Sequence, residues 1–326
     1  MKNIIITERL SAQALQTLKL EKNFAVSQIQ NINDPKFESA HALLIRSKTL
    51  INDSLLKRAT HLELIITATS GFDHIDFSEI AKTKIKVMHT PDANAISAAE
   101  LTWGLVLACS RKLLSAHRSV KSGEWRSEGL TGFECAQKNY GIIGLGRIGT
   151  RVARIAQAFG MKVLAFDPYK DDDYFKSLGV TRLSYEELIK KSDILSFHVP
   201  KTRETHHMFA ASQIEYVHPE LIIINTSRGS VICEPDICKA LEQRKIRALG
   251  LDVFETEPLS RNSNLLKHEN VILTPHLGAS TFEAFERASL EAAEKLITYF
   301  RSGTVSDALP SAEDWASRAT QHQVWD

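Results

Sequence analysis

The sequence predicts an α/β protein of two domains, a doubly wound parallel sheet inserted into a smaller α/β domain. Three observations carry this prediction. Short apolar runs alternate with amphipathic stretches from Ile4 to Phe300, a glycine-rich turn joins one such run to a helix near mid-chain, and 326 residues is about twice a usual single-domain length.

The first block reads as the strand Ile4-Ile5-Ile6, a helix around Ala12 to Leu18, and strands at Phe24 to Ile29 and Ala42 to Ile45. A helix at Ser54 to Ala59 follows, then strands at Leu64-Ile65-Ile66 and Ile85 to Met88, the latter stopped by Thr90-Pro91. Apolar runs of this length separated by helical periodicity are the rhythm of parallel βα units. Five strands in the first ninety residues make a small open domain. One long helix is then expected from about Ala95 to Lys121, with Leu101, Leu105, Leu107 and Leu114 apolar, ending near Gly123 and bridging the domains.

The second block repeats the alternation at Tyr140 to Ile143, Val163 to Phe166, Ile194 to Phe197, Leu221 to Ile224, Leu249 to Val253 and Val271 to Thr274. Six strands with helices between them are the number of a full dinucleotide-binding sheet. A last helix is expected at about Phe282 to Phe300, followed by Arg301-Ser302-Gly303-Thr304 and a polar tail. That tail and part of the helix are expected to return to the first domain.

Composition narrows the partners. A net charge of +1 from 40 basic and 39 acidic residues gives no electrostatic reason to expect nucleic acid or an anionic membrane. No stretch approaches the roughly 18 apolar residues of a membrane span. Met1-Lys2-Asn3 runs directly into a strand rather than a signal peptide, so a cytoplasmic location is expected. The four cysteines, Cys109, Cys135, Cys233 and Cys238, form no CxxC pair and read as buried thiols rather than disulfides or zinc ligands. No metal is expected.

Gly144-Leu145-Gly146-Arg147-Ile148-Gly149 follows a strand and opens a helix containing Val152, Ile155 and Ala158. In that context the first glycine allows the turn, the second lets a pyrophosphate approach the backbone, and the third lets helix and strand pack closely. The helix N-terminus adds unpaired N–H donors and a positive dipole end. Asp167, in Phe166-Asp167-Pro168 at the end of the next strand, stands about twenty residues on, where a carboxylate accepts ribose hydroxyls. It would repel a 2′-phosphate, and no arginine follows it, so NAD is expected rather than NADP.

Three polar residues stand just beyond strand ends, which line the ligand crevice of an open α/β sheet. Arg228 lies in Asn225-Thr226-Ser227-Arg228-Gly229, Glu257 in Phe254-Glu255-Thr256-Glu257-Pro258, and His276 in Thr274-Pro275-His276-Leu277-Gly278. Reduction of a 2-keto acid leaves negative charge on oxygen, which an imidazolium can protonate near neutral pH. A carboxylate beside the imidazole favours its protonated form. A guanidinium fork pairs with the substrate carboxylate better than lysine does. His276, Glu257 and Arg228 fit those three parts.

On these motifs, with the loop His198-Val199-Pro200-Lys201-Thr202-Arg203-Glu204-Thr205 and the segment Ala68 to Asp76, nearly the whole chain resembles the D-isomer-specific 2-hydroxyacid dehydrogenases. More narrowly it is similar to phosphoglycerate and hydroxypyruvate dehydrogenases. The resemblance implies a Rossmann-type doubly wound parallel sheet, residues 99–289, inserted into a smaller flavodoxin-like α/β substrate domain, residues 1–98 and 290–326. It implies a homodimer formed through the long helix and a nicotinamide ring in the cleft between domains. Cofactor contacts are implied at Thr102, the glycine loop with Arg147 and Ile148, Asp167, His198, Pro200, Thr205, Thr226, Asp252 and His276, with Asp252 holding the carboxamide. Backbone donors at Ser70 and Gly71 would hold the substrate carboxylate, and Arg46 is similar to an arginine facing a substrate phosphate.

The implied reaction moves hydride between NAD(H) and C2 of a small D-2-hydroxy acid. 3-Phosphoglycerate is one candidate, glyoxylate or hydroxypyruvate the alternative. A different class also shares this fold, NAD-binding corepressors that act by recruiting partners. Asp92 and Gln137 stand where the family has glycine, and Asp92 weakens the case for a phosphorylated substrate. The chain stops soon after its last helix, so a C-terminal regulatory domain with serine feedback is not expected.

Overall fold

The computed structural model describes residues 1–125 and 128–310, and the chain divides into two compact units. The first comprises Met1–Ala95 and the described residues from Ala279 onward, the second Ile96–Gly278. The polar tail from residue 311, with its expected return to the first domain, lies outside the described residues.

In the first unit, strands β1 (Lys2–Ile6), β2 (Phe24–Gln28), β3 (Ala42–Ile45), β4 (Leu64–Thr67) and β5 (Lys86–His89) form one sheet in the order β2-β1-β3-β4-β5. Every pairing is parallel. This is the flavodoxin-like order expected of a doubly wound sheet. β3 and β4 are buried on both faces, which is why they read as unbroken apolar runs. The helix Ala12–Lys19 is capped by Ser11, whose hydroxyl accepts from the Ala14 N–H at 3.2 Å. The helix Phe282–Ser302 buries Ala284, Ala288, Ala292, Ala293 and Leu296. Those small residues let it lie close against Ala14, Leu18 and the sheet.

The second unit continues with β6 (Asn139–Ile143), β7 (Lys162–Phe166), β8 (Thr181–Arg182), β9 (Ile194–Phe197), β10 (Ile222–Asn225), β11 (Ala248–Leu251) and β12 (Val271–Leu273). They form a parallel sheet in the order β12-β11-β10-β9-β6-β7-β8. It has seven strands rather than the six expected, because the exposed two-residue β8 adds an edge beside β7. Strand order reverses between β6 and β9, so ligands are expected beyond the C-terminal ends of those strands.

The expected single helix from Ala95 to Lys121 is two helices, Ala95–Ser110 and Leu113–Lys121. Lys112 between them has φ +53, a left-handed conformation that ends helical hydrogen bonding. The Ser110 carbonyl turns to the Phe133 N–H, 3.1 Å away. Gln137 also adopts a left-handed backbone, φ +65. Glycine would take that conformation without a steric cost. Cys109, Cys135 and Cys238 are buried free thiols as expected, but Cys233 is only half-buried. Among the described residues no helix is long and apolar enough to cross a membrane.

Candidate active site

The glycine loop leaves β6 at its C-terminal end. Gly144 takes φ +92, and a Cβ there would lie 2.6 Å from the His198 carbonyl oxygen. A Cβ on Gly149 would lie 2.0 Å from the Gly144 carbonyl oxygen, so helix and turn close on each other as the third glycine of such a loop requires. Gly146 is different, since no atom lies within 4 Å of a Cβ built on it. It is the N-cap of the helix Arg147–Ala158 and has no side-chain cap. An uncapped helix N-terminus beside open space is the arrangement that suits an anionic group such as a pyrophosphate.

Asp167 is buried at the end of β7. Its Oδ2 accepts from the Leu145 N–H at 2.8 Å and its Oδ1 from the Tyr169 N–H at 2.9 Å. These bonds fix the carboxylate against the glycine loop and leave each oxygen a further lone pair for ribose hydroxyls. Sequence reasoning missed its neighbours. The Tyr169 hydroxyl donates to Glu204 Oε2 at 2.6 Å, and the buried Glu204 Oε1 has no hydrogen-bond partner among the described residues. Tyr169 lies two residues after Asp167 and Glu204 one before Thr205, the only sequence signal that pointed near them.

After β9, burial pushes the His198 imidazole down to about 3, so the ring is neutral, with Nε2 2.9 Å from the Ser196 hydroxyl. Thr205 closes the following loop, its hydroxyl donating to the Pro200 carbonyl at 2.7 Å. The Thr102 and Thr226 hydroxyls meet at 2.8 Å, and Thr102 also donates to the Ala98 carbonyl. The helix Ala95–Ser110 is thereby tied to the end of β10.

Glu257 and His276 come together. His276 Nδ1 lies 2.7 Å from Glu257 Oε2, and Glu257 Oε1 accepts from the Phe254 N–H at 3.1 Å. The bond from Glu257 raises the His276 pKa from its ordinary value, against burial and the nearby charge of Arg228. Burial alone would raise Glu257. The bonds from His276 and the Phe254 N–H, with the Arg228 charge, instead bring it below the ordinary carboxylate value. The imidazole is half exposed, so Nε2 is left for a ligand. Arg228 Nη1 donates to the Ser227 carbonyl at 2.7 Å, while Asn225 Nδ2 donates to the Arg228 carbonyl at 2.8 Å.

Asp252, at the end of β11, is fully buried. Its Oδ1 accepts from Thr274 Oγ1 at 2.6 Å and the Leu277 N–H at 2.7 Å, and its Oδ2 from the Gly278 N–H at 2.8 Å. His276 donates its own N–H to the Asp252 carbonyl at 2.8 Å. The carboxylate therefore braces the turn in which His276 takes φ +55.

The expected substrate residues lie in the first unit. The Ser70 hydroxyl donates to the Pro91 carbonyl at 3.0 Å, and Thr69 Oγ1 donates to the Gly71 carbonyl at 2.7 Å. The N–H groups of Ser70 and Gly71 have no acceptor among the described residues. The Arg46 guanidinium lies over the Phe285 ring, 5.0 Å from its centroid. Among the described residues its buried Nη1 has no hydrogen-bond partner, and burial lowers its pKa.

The family model described as "D-isomer specific 2-hydroxyacid dehydrogenase, NAD binding domain" matches residues 103–278. D-3-phosphoglycerate dehydrogenase of Methanocaldococcus jannaschii is 39% identical over 299 residues, 91% of this chain and 57% of that protein. The chain thus spans between 46% and 62% of the length of the phosphoglycerate dehydrogenases it matches. Hydroxypyruvate reductase of Thermotoga maritima is 41% identical over 256 residues, 78% of this chain and 83% of that one. Among solved structures, D-lactate dehydrogenase of Aquifex aeolicus, complexed with NAD and lactic acid, aligns with TM-score 0.81 at 30% identity, covering 93% of this chain and 96% of that one. With its NAD-type glycine loop, the chain belongs to the family of D-isomer specific 2-hydroxyacid dehydrogenases.

Proposed function

We propose that this chain is an NAD-dependent dehydrogenase acting reversibly at C2 of a small D-2-hydroxy acid, with Arg228, Glu257 and His276 as its catalytic residues. The observation that carries this reading is the 2.7 Å pair of His276 Nδ1 and Glu257 Oε2 within the field of Arg228. NADH, when bound, supplies the hydride. In the reductive direction His276 releases its Nε2 proton to the carbonyl oxygen of the 2-keto acid and becomes neutral. Glu257 favours the protonated imidazole beforehand and holds Nδ1 as the bonded nitrogen, so Nε2 is the one that titrates. In the oxidative direction neutral His276 takes the hydroxyl proton. Arg228 clamps the acid's carboxylate and polarises its carbonyl.

For the cofactor, the donors are the glycine-loop backbone with Arg147 and Ile148, and Asp167 takes the ribose hydroxyls. Thr102, His198, Pro200, Thr205 and Thr226 shape the walls. Asp252 serves mainly to position His276, its Oδ2 retaining capacity for a carboxamide donor. In the first unit, the unpaired N–H groups of Ser70 and Gly71 suit a substrate carboxylate, and the buried Nη1 of Arg46 suits a second anionic group. The latter favours 3-phosphoglycerate, and glyoxylate or hydroxypyruvate is the alternative.

We further place the enzyme in the cytoplasm, on the strength of its unpaired thiols. A homodimer is supported by the exposed Leu113, Leu114, Val120 and Trp125 in and after the helix Leu113–Lys121. Light scattering on the eluting protein tests that.

The decisive experiment follows NADH absorbance with glyoxylate, hydroxypyruvate, phosphohydroxypyruvate, pyruvate and 2-oxoglutarate. His276→Asn, a residue that tolerates the left-handed backbone at this position, should lower turnover roughly 10²- to 10⁴-fold with NADH affinity nearly intact. Equal loss of NADH affinity would contradict the role. Turnover of none of the acids would favour a binding protein of the corepressor kind.

A further inference from the structure

The NAD-binding unit carries a second group of reactive side chains that the proposed reaction leaves unused. His207 comes from the loop after β9, Cys233 from the N-cap of the helix Glu234–Glu242, and Glu255 from the loop after β11. An imidazole nitrogen, the Sγ and a carboxylate oxygen all lie within 4.8 Å of one another. His207 Nε2 is 3.1 Å from Glu255 Oε1, yet that nitrogen is sealed from solvent with no well-directed hydrogen bond. The separation is short and the direction is wrong for a proton between them. A third atom lying between the donors would satisfy both.

The ring and the carboxylate are held from outside the group. His206 stacks on His207 with centroids 4.0 Å apart, and the His207 backbone N–H donates to the Ser230 carbonyl at 2.7 Å. Glu255 and Glu234 each accept the other's backbone N–H, at 2.8 and 2.7 Å. Two carboxylates are thereby held side by side, and among the described residues neither has a lysine or arginine within ion-pair distance. The group is preorganised and short of positive charge.

We propose that His207, Cys233 and Glu255 bind one divalent ion of the zinc class. Imidazole nitrogen, thiolate and carboxylate are the donor set such an ion takes, with water in the fourth position. Metal–ligand bonds of about 2.0–2.3 Å put tetrahedral donors about 3.5 Å apart, so small side-chain rotations close the group around an ion. Binding displaces the Cys233 thiol proton to solvent. The ion ties together the loops after β9, β10 and β11, and the last of these carries Glu257. The inference stands whether or not the chain turns over hydroxy acids.

Chelator-treated protein is titrated anaerobically with cobalt(II) as the probe, followed by zinc. One equivalent of cobalt should give intense tetrahedral visible bands with a sulfur-to-cobalt charge-transfer band, and zinc should abolish both. Cys233→Ser should remove the charge-transfer band, and Glu255→Gln should weaken affinity by about tenfold or more. Circular dichroism and NADH affinity report that the variants remain folded. Cobalt bound without the sulfur band, a band undiminished in Cys233→Ser, or no binding at one equivalent would each overturn the proposal.

Discussion

Two alanine substitutions in the glycine loop should have opposite effects, and the reason lies in where each Cβ would point. At Gly146 the backbone angles, φ −78 and ψ −156, are open to alanine, and nothing lies within 4 Å of the added atom. The weaker N-cap preference of alanine and the lower entropy of its unfolded chain oppose each other, each about 0.5–1 kcal/mol. The melting temperature of the cofactor-free protein should therefore move by no more than about 3 °C. The methyl group would instead occupy the space in front of the helix N-terminus. Loss of one N–H bond to a charged pyrophosphate oxygen, worth about 1.5–3 kcal/mol, weakens NADH binding roughly 10- to 150-fold. At Gly149 the Cβ would sit 2.0 Å from the Gly144 carbonyl oxygen and 3.1 Å from its carbon, so backbone must move. Overpacking costs about 1–3 kcal/mol, a fall of roughly 2–12 °C in a domain of this size. NADH fluorescence titration and thermal melts without cofactor measure the two effects. A Gly146→Ala protein that binds NADH as the parent does, or a Gly149→Ala protein that melts with the parent, would refute the reasoning.

Glu257→Gln should shift the pH profile of reductive kcat/KM. If His276 acts as the proposed acid it must be protonated, so activity is present below its pKa and lost as pH rises through it; Glu257 raises that pKa, and its removal should move the loss to lower pH. An unmoved alkaline limb would take Glu257 out of the pair. Arg46→Ala should raise KM for phosphohydroxypyruvate roughly 30-fold or more, the scale of losing a buried charge contact, while leaving glyoxylate little changed; steady-state kinetics with both acids shows whether Arg46 faces substrate at all. Gln137→Gly should relieve the left-handed strain at φ +65 by more than the added freedom of the unfolded chain takes back, raising the melting temperature by up to about 4 °C. A drop of several degrees in calorimetry would show that the Gln137 side chain makes a contact worth more than the strain.

What could be read from the sequence, and what could not, divides along one physical line. Strands such as Ile222–Asn225, buried on both faces, announce themselves because burial dictates composition. That Asp167 meets the glycine loop and Glu257 meets His276 was legible because sheet order places strand ends together, so position along the chain already implies proximity. The features that were missed depend on partners distant in sequence. The helix after Ala95 breaks because the Ser110 carbonyl is taken by Phe133, and no pattern within Ala95 to Lys121 contains that bond. β8 consists of two exposed residues, which carry no apolar signal. His207, Cys233 and Glu255 come from three separate loops and fit no ligand spacing. Asp252 was named from the resemblance as a cofactor contact, but the part its carboxylate plays in holding Thr274, Leu277 and Gly278 was not legible. The left-handed turn at His276 is one that a residue other than glycine adopts only when its surroundings compel it. A buried carboxylate with three donors is such a surrounding, so the aim of the His276 imidazole is set by a residue that need not touch a substrate.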